Sequence, residues 1–69
     1  MRIKVNGEEK NIELYQENAL LSTALKTMGY NPNTIVVELN NVIVNSIKWG
    51  KVKVKDGDKL EIVSIVGGG

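Results

Sequence analysis

The chain ends in Gly67-Gly68-Gly69, and the carboxylate of Gly69 is the group with the clearest chemical potential in the sequence. Glycine has no Cβ, so such a segment can pass through a channel too narrow for other residues. A terminal α-carboxyl has a pKa of about 3.3 to 3.7 and is an anion at neutral pH. It can therefore attack the α-phosphate of ATP inside a partner enzyme and form an acyl adenylate. The alternatives are a frayed end, a truncated loop or a cloning scar.

The rest of the chain offers little for catalysis. It has no His and no Cys, and general acid–base chemistry near neutral pH most often uses His. Three serines have no base beside them in the sequence: Ser22, Ser46 and Ser64. Asp56-Gly57-Asp58 could offer oxygen ligands to a hard cation, but a calcium loop needs further ligands at fixed spacing, so we favour a turn. We predict no catalytic residue, no metal site, no bound cofactor, and a protein that is not an enzyme.

Composition narrows the class of protein. With 69 residues, 42% of them hydrophobic, the chain fits one compact domain. A net charge of +1 lacks the basic excess typical of nucleic-acid binding. No apolar run exceeds three residues, so we expect no secretory or membrane segment and a cytoplasmic location. We predict a protein that is monomeric when free and has no nucleic-acid or membrane partner.

One segment is locally basic. Five lysines lie close to Trp49, namely Lys48, Lys51, Lys53, Lys55 and Lys59. Lysines beside an aromatic ring can bind nucleic acid. Lysines also protect exposed edge strands from pairing with other chains, and we give this second interpretation more weight.

Apolar periodicity predicts one helix among strands. Residues 2–6 and 12–14 alternate with period two around Asn6-Gly7, which predicts a β-hairpin. Apolar residues from Leu20 to Met28 recur at spacings of three and four, which predicts a helix with Asn18 as N-cap and Gly29 at its end. Alternation then predicts strands at 35–39 and 42–44, joined by a tight Asn40-Asn41 turn, and a last strand from Leu60 to about Val66.

This order favours an α+β fold of the β-grasp (ubiquitin-like) type. A helix with one apolar stripe needs a sheet face to cover it, so we predict a mixed sheet of four to five strands with the helix packed across one face. The first and last strands pair in parallel at its centre. The apolar residues expected to face the helix are Ile3, Val5, Ile35, Val37, Leu39, Leu60 and Ile62. We divide the chain into a β-grasp domain at 1–66 and a flexible glycine tail at 67–69.

The last strand predicts a docking surface as well. If Leu60 and Ile62 point into the core, Val63 and Ile65 face the side of the sheet that has no helix to cover it. We expect a partner to dock on Val63, Ile65 and Val66. Ordinary exposed apolar surface, or shielding by the Trp49 segment, remains an open alternative.

Several motifs resemble the sulfur carrier family of the thiamin pathway, ThiS. Residues 56–66, followed by Gly67-Gly68-Gly69, look like the C-terminus of that family. Residues 1–7 are similar to its opening I-x-V-N-G strand, 37–41 to its third strand and turn, and Trp49 to its tryptophan. The chain departs from the family at Asn45-Ser46, where a proline and a basic residue are common, so partner contacts there are in doubt.

The resemblance implies a mechanism. A ThiF-like enzyme would use ATP to adenylate the Gly69 carboxylate, and a sulfur donor protein would convert it to a thiocarboxylate. Gly67 and Gly68 would enter the partners' active sites, and the sulfur would pass to a ThiG-like thiazole synthase. Two alternatives remain: a molybdopterin-pathway carrier similar to MoaD, or a non-covalent interaction domain similar to TGS domains.

Overall fold

The computed structural model describes residues 1–15, 17 and 19–65. Outside these ranges lie the predicted N-cap Asn18, the predicted strand end and docking residue Val66, and the glycines 67–69.

The described residues form one mixed sheet of five strands crossed by one α-helix. In chain order the elements are β1 (Arg2–Val5), β2 (Glu8–Asn11), α1 (Leu21–Thr27), β3 (Ile35–Leu39), β4 (Val42–Val44) and β5 (Lys59–Ser64). The strand order across the sheet is β2-β1-β5-β3-β4, with β1 and β5 parallel and the other pairs antiparallel. The predicted parallel pairing of the first and last strands is confirmed.

Two asparagine turns set the register of the hairpins. Asn6 and Gly7 both have positive φ, at 51° and 84°, and so do Asn40 and Asn41, at 50° and 71°. Positive φ at both central residues is the requirement of a type I′ turn, whose twist matches that of the strands it joins. Both tight turns are therefore confirmed.

The second strand lies earlier in the chain than predicted. The Asn6-Gly7 turn has only two residues, so pairing resumes at once, with Val5 opposite Glu8. β2 thus spans Glu8–Asn11, whose residues are all exposed, and the predicted strand at 12–14 is wrong. Ile12 still enters the core, 7% exposed, just after the strand ends.

The helix begins later than predicted and is capped by distant backbone. Its N-cap position is Leu20, which makes no side-chain cap, so placing the cap at residue 18 was wrong. The N–H groups of Leu21 and Ser22 donate to the carbonyls of Val52 (2.8 Å) and Trp49 (3.1 Å). At the other end Gly29 has φ +86° as expected, and the Tyr30 N–H closes the helix on the Leu25 carbonyl at 3.0 Å.

The core lies between the helix and one face of the sheet. The predicted inward residues of β1, β3 and β5 are all buried except Leu39, which is half-buried. They pack against the apolar stripe of α1, where Leu21 and Ala24 are fully buried. Trp49 (4% exposed) and Val54 (1%) complete the cluster.

The lysine-rich segment is not an edge strand, so that part of the prediction is wrong. Among the described residues, 51–55 contributes a single isolated bridge, from Lys53 to Leu20. The segment crosses the start of the helix, and the Val54 N–H donates to the Ala19 carbonyl at 2.7 Å. The alternation of apolar and charged residues still matches their burial, since Val54 is buried while Lys53 and Lys55 are exposed.

For the part of the chain that the structure covers, none of the helices has the length and apolar character that crossing a bilayer requires.

Candidate functional site

The site is built on β5, the central strand that leads towards the glycines. On the β3 side, the Asn40 N–H donates to the Lys59 carbonyl at 2.8 Å and the Ile65 N–H donates to the Thr34 carbonyl at 2.6 Å. On the β1 side, the Asn6 N–H donates to the Leu60 carbonyl at 2.9 Å. The strand is thus hydrogen-bonded along both edges, which fixes its position in the sheet.

An asparagine side chain extends this pairing beyond the end of β1. β1 ends at Val5, opposite Leu60, and the chain then turns away. The Asn6 amide replaces the missing backbone: its Oδ1 accepts from the Ile62 N–H at 2.7 Å, and its Nδ2 donates to the Ile62 carbonyl at 3.1 Å. Sequence reasoning assigned Asn6 only to the turn and missed this contact, which joins positions 56 residues apart.

The start of β5 is fixed by the predicted turn at 56–58. Asp58 is 8% exposed, and its carboxylate accepts from the Lys55 N–H at 2.7 Å and from the Asn40 Nδ2 at 3.0 Å. The Asp56 carboxylate accepts from the Arg2 N–H at 2.6 Å. The predicted turn is confirmed, and its two carboxylates also accept hydrogen bonds from β1 and from Asn40, which was not predicted. No group of three or more metal-ligating side chains occurs within the described ranges.

An apolar patch lies on the face of the sheet opposite the helix. Val63 is 60% exposed and Ile65 is 52% exposed. Val36 lies directly opposite Val63 on β3 and is 37% exposed. Shielding by the Trp49 segment is wrong, because Val63 and Ile65 are both more than half exposed. We call Val36, Val63 and Ile65 the outer patch.

Two carboxylates lie beside the outer patch. Glu38 of β3 is opposite Glu61 of β5, so a cross-strand row of the sheet runs Ile43, Glu38, Glu61. Ile43 is 68% exposed and both glutamates are half-buried. Sequence reasoning did not single out this pair, because it depends on the β3–β5 register.

In the basic segment most of the lysines are exposed, but the tryptophan is buried. The Trp49 indole is 4% exposed and its Nε1 donates to the Val44 carbonyl at 2.8 Å. Stacking on a base needs an exposed ring face. Trp49 is therefore part of the core. It cannot stack on a nucleic-acid base, so the interpretation of this segment as a nucleic-acid site loses its aromatic contact.

The reactive end of the predicted site lies outside the described residues, as does one docking residue. These are Gly67, Gly68 and Gly69, together with Val66. Their predicted roles stay predictions.

Comparison with known sequences gives a family. The sequence model described as the ThiS family matches residues 3–69. The chain is 38% identical over its full length to a thiazole synthase of Paramagnetospirillum magneticum, of which it spans about a fifth (20%). It is 39% identical over 66 residues to the uncharacterized protein ycf40 of Trieres chinensis, covering 94% of this chain and 85% of that protein.

Comparison with solved structures agrees with the fold. The crystal structure of a thiamine biosynthesis protein (ThiS) from Geobacter metallireducens superposes with a TM-score of 0.83 at 26% identity, and each chain is covered completely. An NMR structure of a thiamine biosynthesis protein from the same organism gives a TM-score of 0.79 at 27% identity, covering 100% of this chain and 88% of that one. The β-grasp assignment is confirmed.

Proposed function

Because the chain belongs to the ThiS family, we propose that it is a sulfur carrier protein of thiamin biosynthesis and that the Gly69 carboxylate carries the sulfur. One structural observation supports this above the others. β5 is hydrogen-bonded on both edges up to Ile62, pairs with β3 up to Ser64, and is followed by Ile65, whose N–H donates to the Thr34 carbonyl, so the chain is held in the sheet as far as Ile65. A rigid attachment point lowers the entropy lost when a short segment is ordered in a partner's channel.

The proposed chemistry takes place in two steps on the partner enzyme. A Gly69 carboxylate oxygen attacks the α-phosphorus of ATP, pyrophosphate leaves, and an acyl adenylate forms. A hydrosulfide ion released by the donor then attacks the acyl carbon, AMP leaves with the oxygen that bonded to phosphorus, and the resulting thioacid loses its proton. The product is a thiocarboxylate at Gly69. The chain supplies the reacting group and the enzyme supplies the catalysis.

We propose thiazole synthase as the acceptor of the sulfur. Segments similar to this whole chain form 20% of proteins named thiazole synthase in Paramagnetospirillum magneticum and Magnetococcus marinus, at 38% and 33% identity. Each of those proteins, which carry the name thiazole synthase, therefore contains a segment similar to this chain within one polypeptide. Such linkage raises the effective concentration of one partner for the other, as expected for a carrier and its acceptor.

The outer patch is the proposed docking surface for the activating enzyme. Val63 and Ile65 are exposed on the strand that leads to the glycines, so a protein bound there is close to the C-terminal segment. Exposed apolar side chains lose contact with water on docking, which favours binding. Gly67 and Gly68 would lie in the enzyme's channel, and Val66 would contact its entrance.

Intact-mass spectrometry tests this function directly. The protein is incubated with a ThiF-like enzyme, ATP and a sulfur donor, and we expect a product in which one oxygen is replaced by one sulfur. A variant lacking Gly69 should retain the circular dichroism spectrum and thermal midpoint of the full chain but give no adenylate. An unchanged mass with an enzyme that modifies its own carrier would refute the proposal. Loss of folding in the truncated variant would instead assign the end of the chain a structural role.

A further inference from the structure

The pairing of Glu38 with Glu61 is unfavourable for the isolated protein. Residues directly opposite on antiparallel strands have Cβ atoms about 4.5 to 5.5 Å apart, and like charges at such positions destabilise a sheet. Within the described ranges neither carboxylate has an ion-pair partner, since the ion pair found there joins Arg2 to Glu9. Lys59, two residues before Glu61 on β5, makes no ion pair with either carboxylate in that part of the chain, so no direct salt bridge offsets the repulsion.

The surroundings of the pair point to an external partner. Exposed apolar side chains lie on one side of the row, where Val36 of β3 is opposite Val63 of β5, and Ile43 ends the row. On the other side of the row, the next residue of β5 on this face is Lys59. A protein surface docked over these groups would exclude water from the two carboxylates. Two buried, unpaired negative charges would then be strongly unfavourable, so the docked surface must supply positive charge.

We propose that the activating enzyme inserts a basic side chain, an arginine, between Glu38 and Glu61 when it docks on the outer patch; the proposal rests on the function proposed above. A guanidinium carries five N–H donors in a planar fork and can donate to both carboxylates at once. The two glutamates would then determine the register of docking, and the apolar residues would supply contact area. The pair is thus a recognition feature that reduces the stability of the free protein.

The test uses the opposite effects expected on folding and on binding. Glu38→Gln and Glu61→Gln each remove the repulsion while keeping the size of the side chain. We expect the thermal midpoint of the free protein to rise by about 1 to 5 °C, whereas affinity for a ThiF-like enzyme falls about 10-fold for each variant. Glu13→Gln is the matched control, because it changes net charge equally at an exposed residue outside the sheet. It should leave affinity within twofold of wild type.

Salt dependence provides a second measurement. Raising the salt concentration from about 0.05 to 0.5 M should weaken wild-type binding more than binding of the double glutamine variant, because salt screens charge pairs. Equal affinity of wild type and the Gln variants, or equal losses in all three single variants, would overturn the proposal. A fall in thermal midpoint that parallels the loss of affinity would also overturn it. If wild-type protein is adenylated and the Gln variants bind the enzyme as tightly as wild type does, this inference alone is refuted. If wild-type protein is never adenylated, the proposed function is refuted.

Discussion

Replacing Asn6 by glycine should separate the hydrogen-bonding role of its side chain from its role in the turn. Glycine adopts the φ of 51° at this position without strain. What is lost is the pair of hydrogen bonds to Ile62, at 2.7 and 3.1 Å. At about 0.5 to 1.5 kcal/mol each, their loss should lower the free energy of unfolding by about 2 kcal/mol. For a domain of this size the thermal midpoint should fall by about 8 to 16 °C.

Asn41→Gly is the matched control. Asn41 has φ 71° in the other type I′ turn, and its side chain makes no hydrogen bond among the described residues. It therefore reports the cost of introducing glycine at positive φ, which we expect to be a few tenths of a kcal/mol. The difference between the two variants measures the amide contact with β5.

Urea unfolding followed by tryptophan fluorescence is the assay. The single tryptophan, Trp49, is 4% exposed when folded, so unfolding shifts its emission towards that of a solvated indole. Hydrogen exchange of the Ile62 amide gives a local readout, because Asn6 Oδ1 accepts from it. One hydrogen bond contributes at least about 0.5 kcal/mol. If the losses in free energy of unfolding of Asn6→Gly and Asn41→Gly differ by less than about this amount, the reasoning is wrong.

Three further substitutions test other parts of the structure. Asp58→Ala removes a carboxylate that accepts two hydrogen bonds and should cost about 3 kcal/mol in urea unfolding; a loss no larger than that of Asp56→Ala would contradict this. Trp49→Phe loses the bond to Val44 and should cost about 1 to 3 kcal/mol, measured by thermal circular dichroism; an unchanged midpoint would be inconsistent with a buried indole donor. Val63→Asp should fold normally but bind a ThiF-like enzyme at least about 10-fold more weakly, whereas Val42→Asp, at 63% against 60% exposure, should bind as wild type. Equal binding losses would remove the outer patch as the docking surface.

The features predicted correctly are those encoded by neighbouring residues. Asn6-Gly7 and Asn40-Asn41 tolerate positive φ, so each pair specifies a tight turn by itself. Alternation identified the buried faces of β1, β3 and β5, because the side-chain period of a strand follows from its geometry. β2 was misplaced because its residues are all exposed, which leaves no apolar pattern to mark it.

The features that were missed depend on contacts between distant residues. Nothing near Asn6 indicates that its amide reaches Ile62, and nothing near Glu38 indicates that Glu61 lies opposite. The helix cap was misplaced for the same reason, since its acceptors lie beyond position 48. For the candidate site, sequence identified Val63 and Ile65 as exposed but could not supply the acidic pair beside them.

The capping of α1 by distant carbonyls has a consequence for how the protein folds. The helix has seven residues, and helices shorter than about 12 to 15 residues are marginal in water on their own. Its first N–H groups have their acceptors at Trp49 and Val52, some thirty positions later in the chain. The helix is therefore expected to become stable only after that later segment has arrived, so an excised peptide 19–30 should be largely unstructured. Folding should be a single cooperative event, limited by the closure of a long loop rather than seeded by the helix.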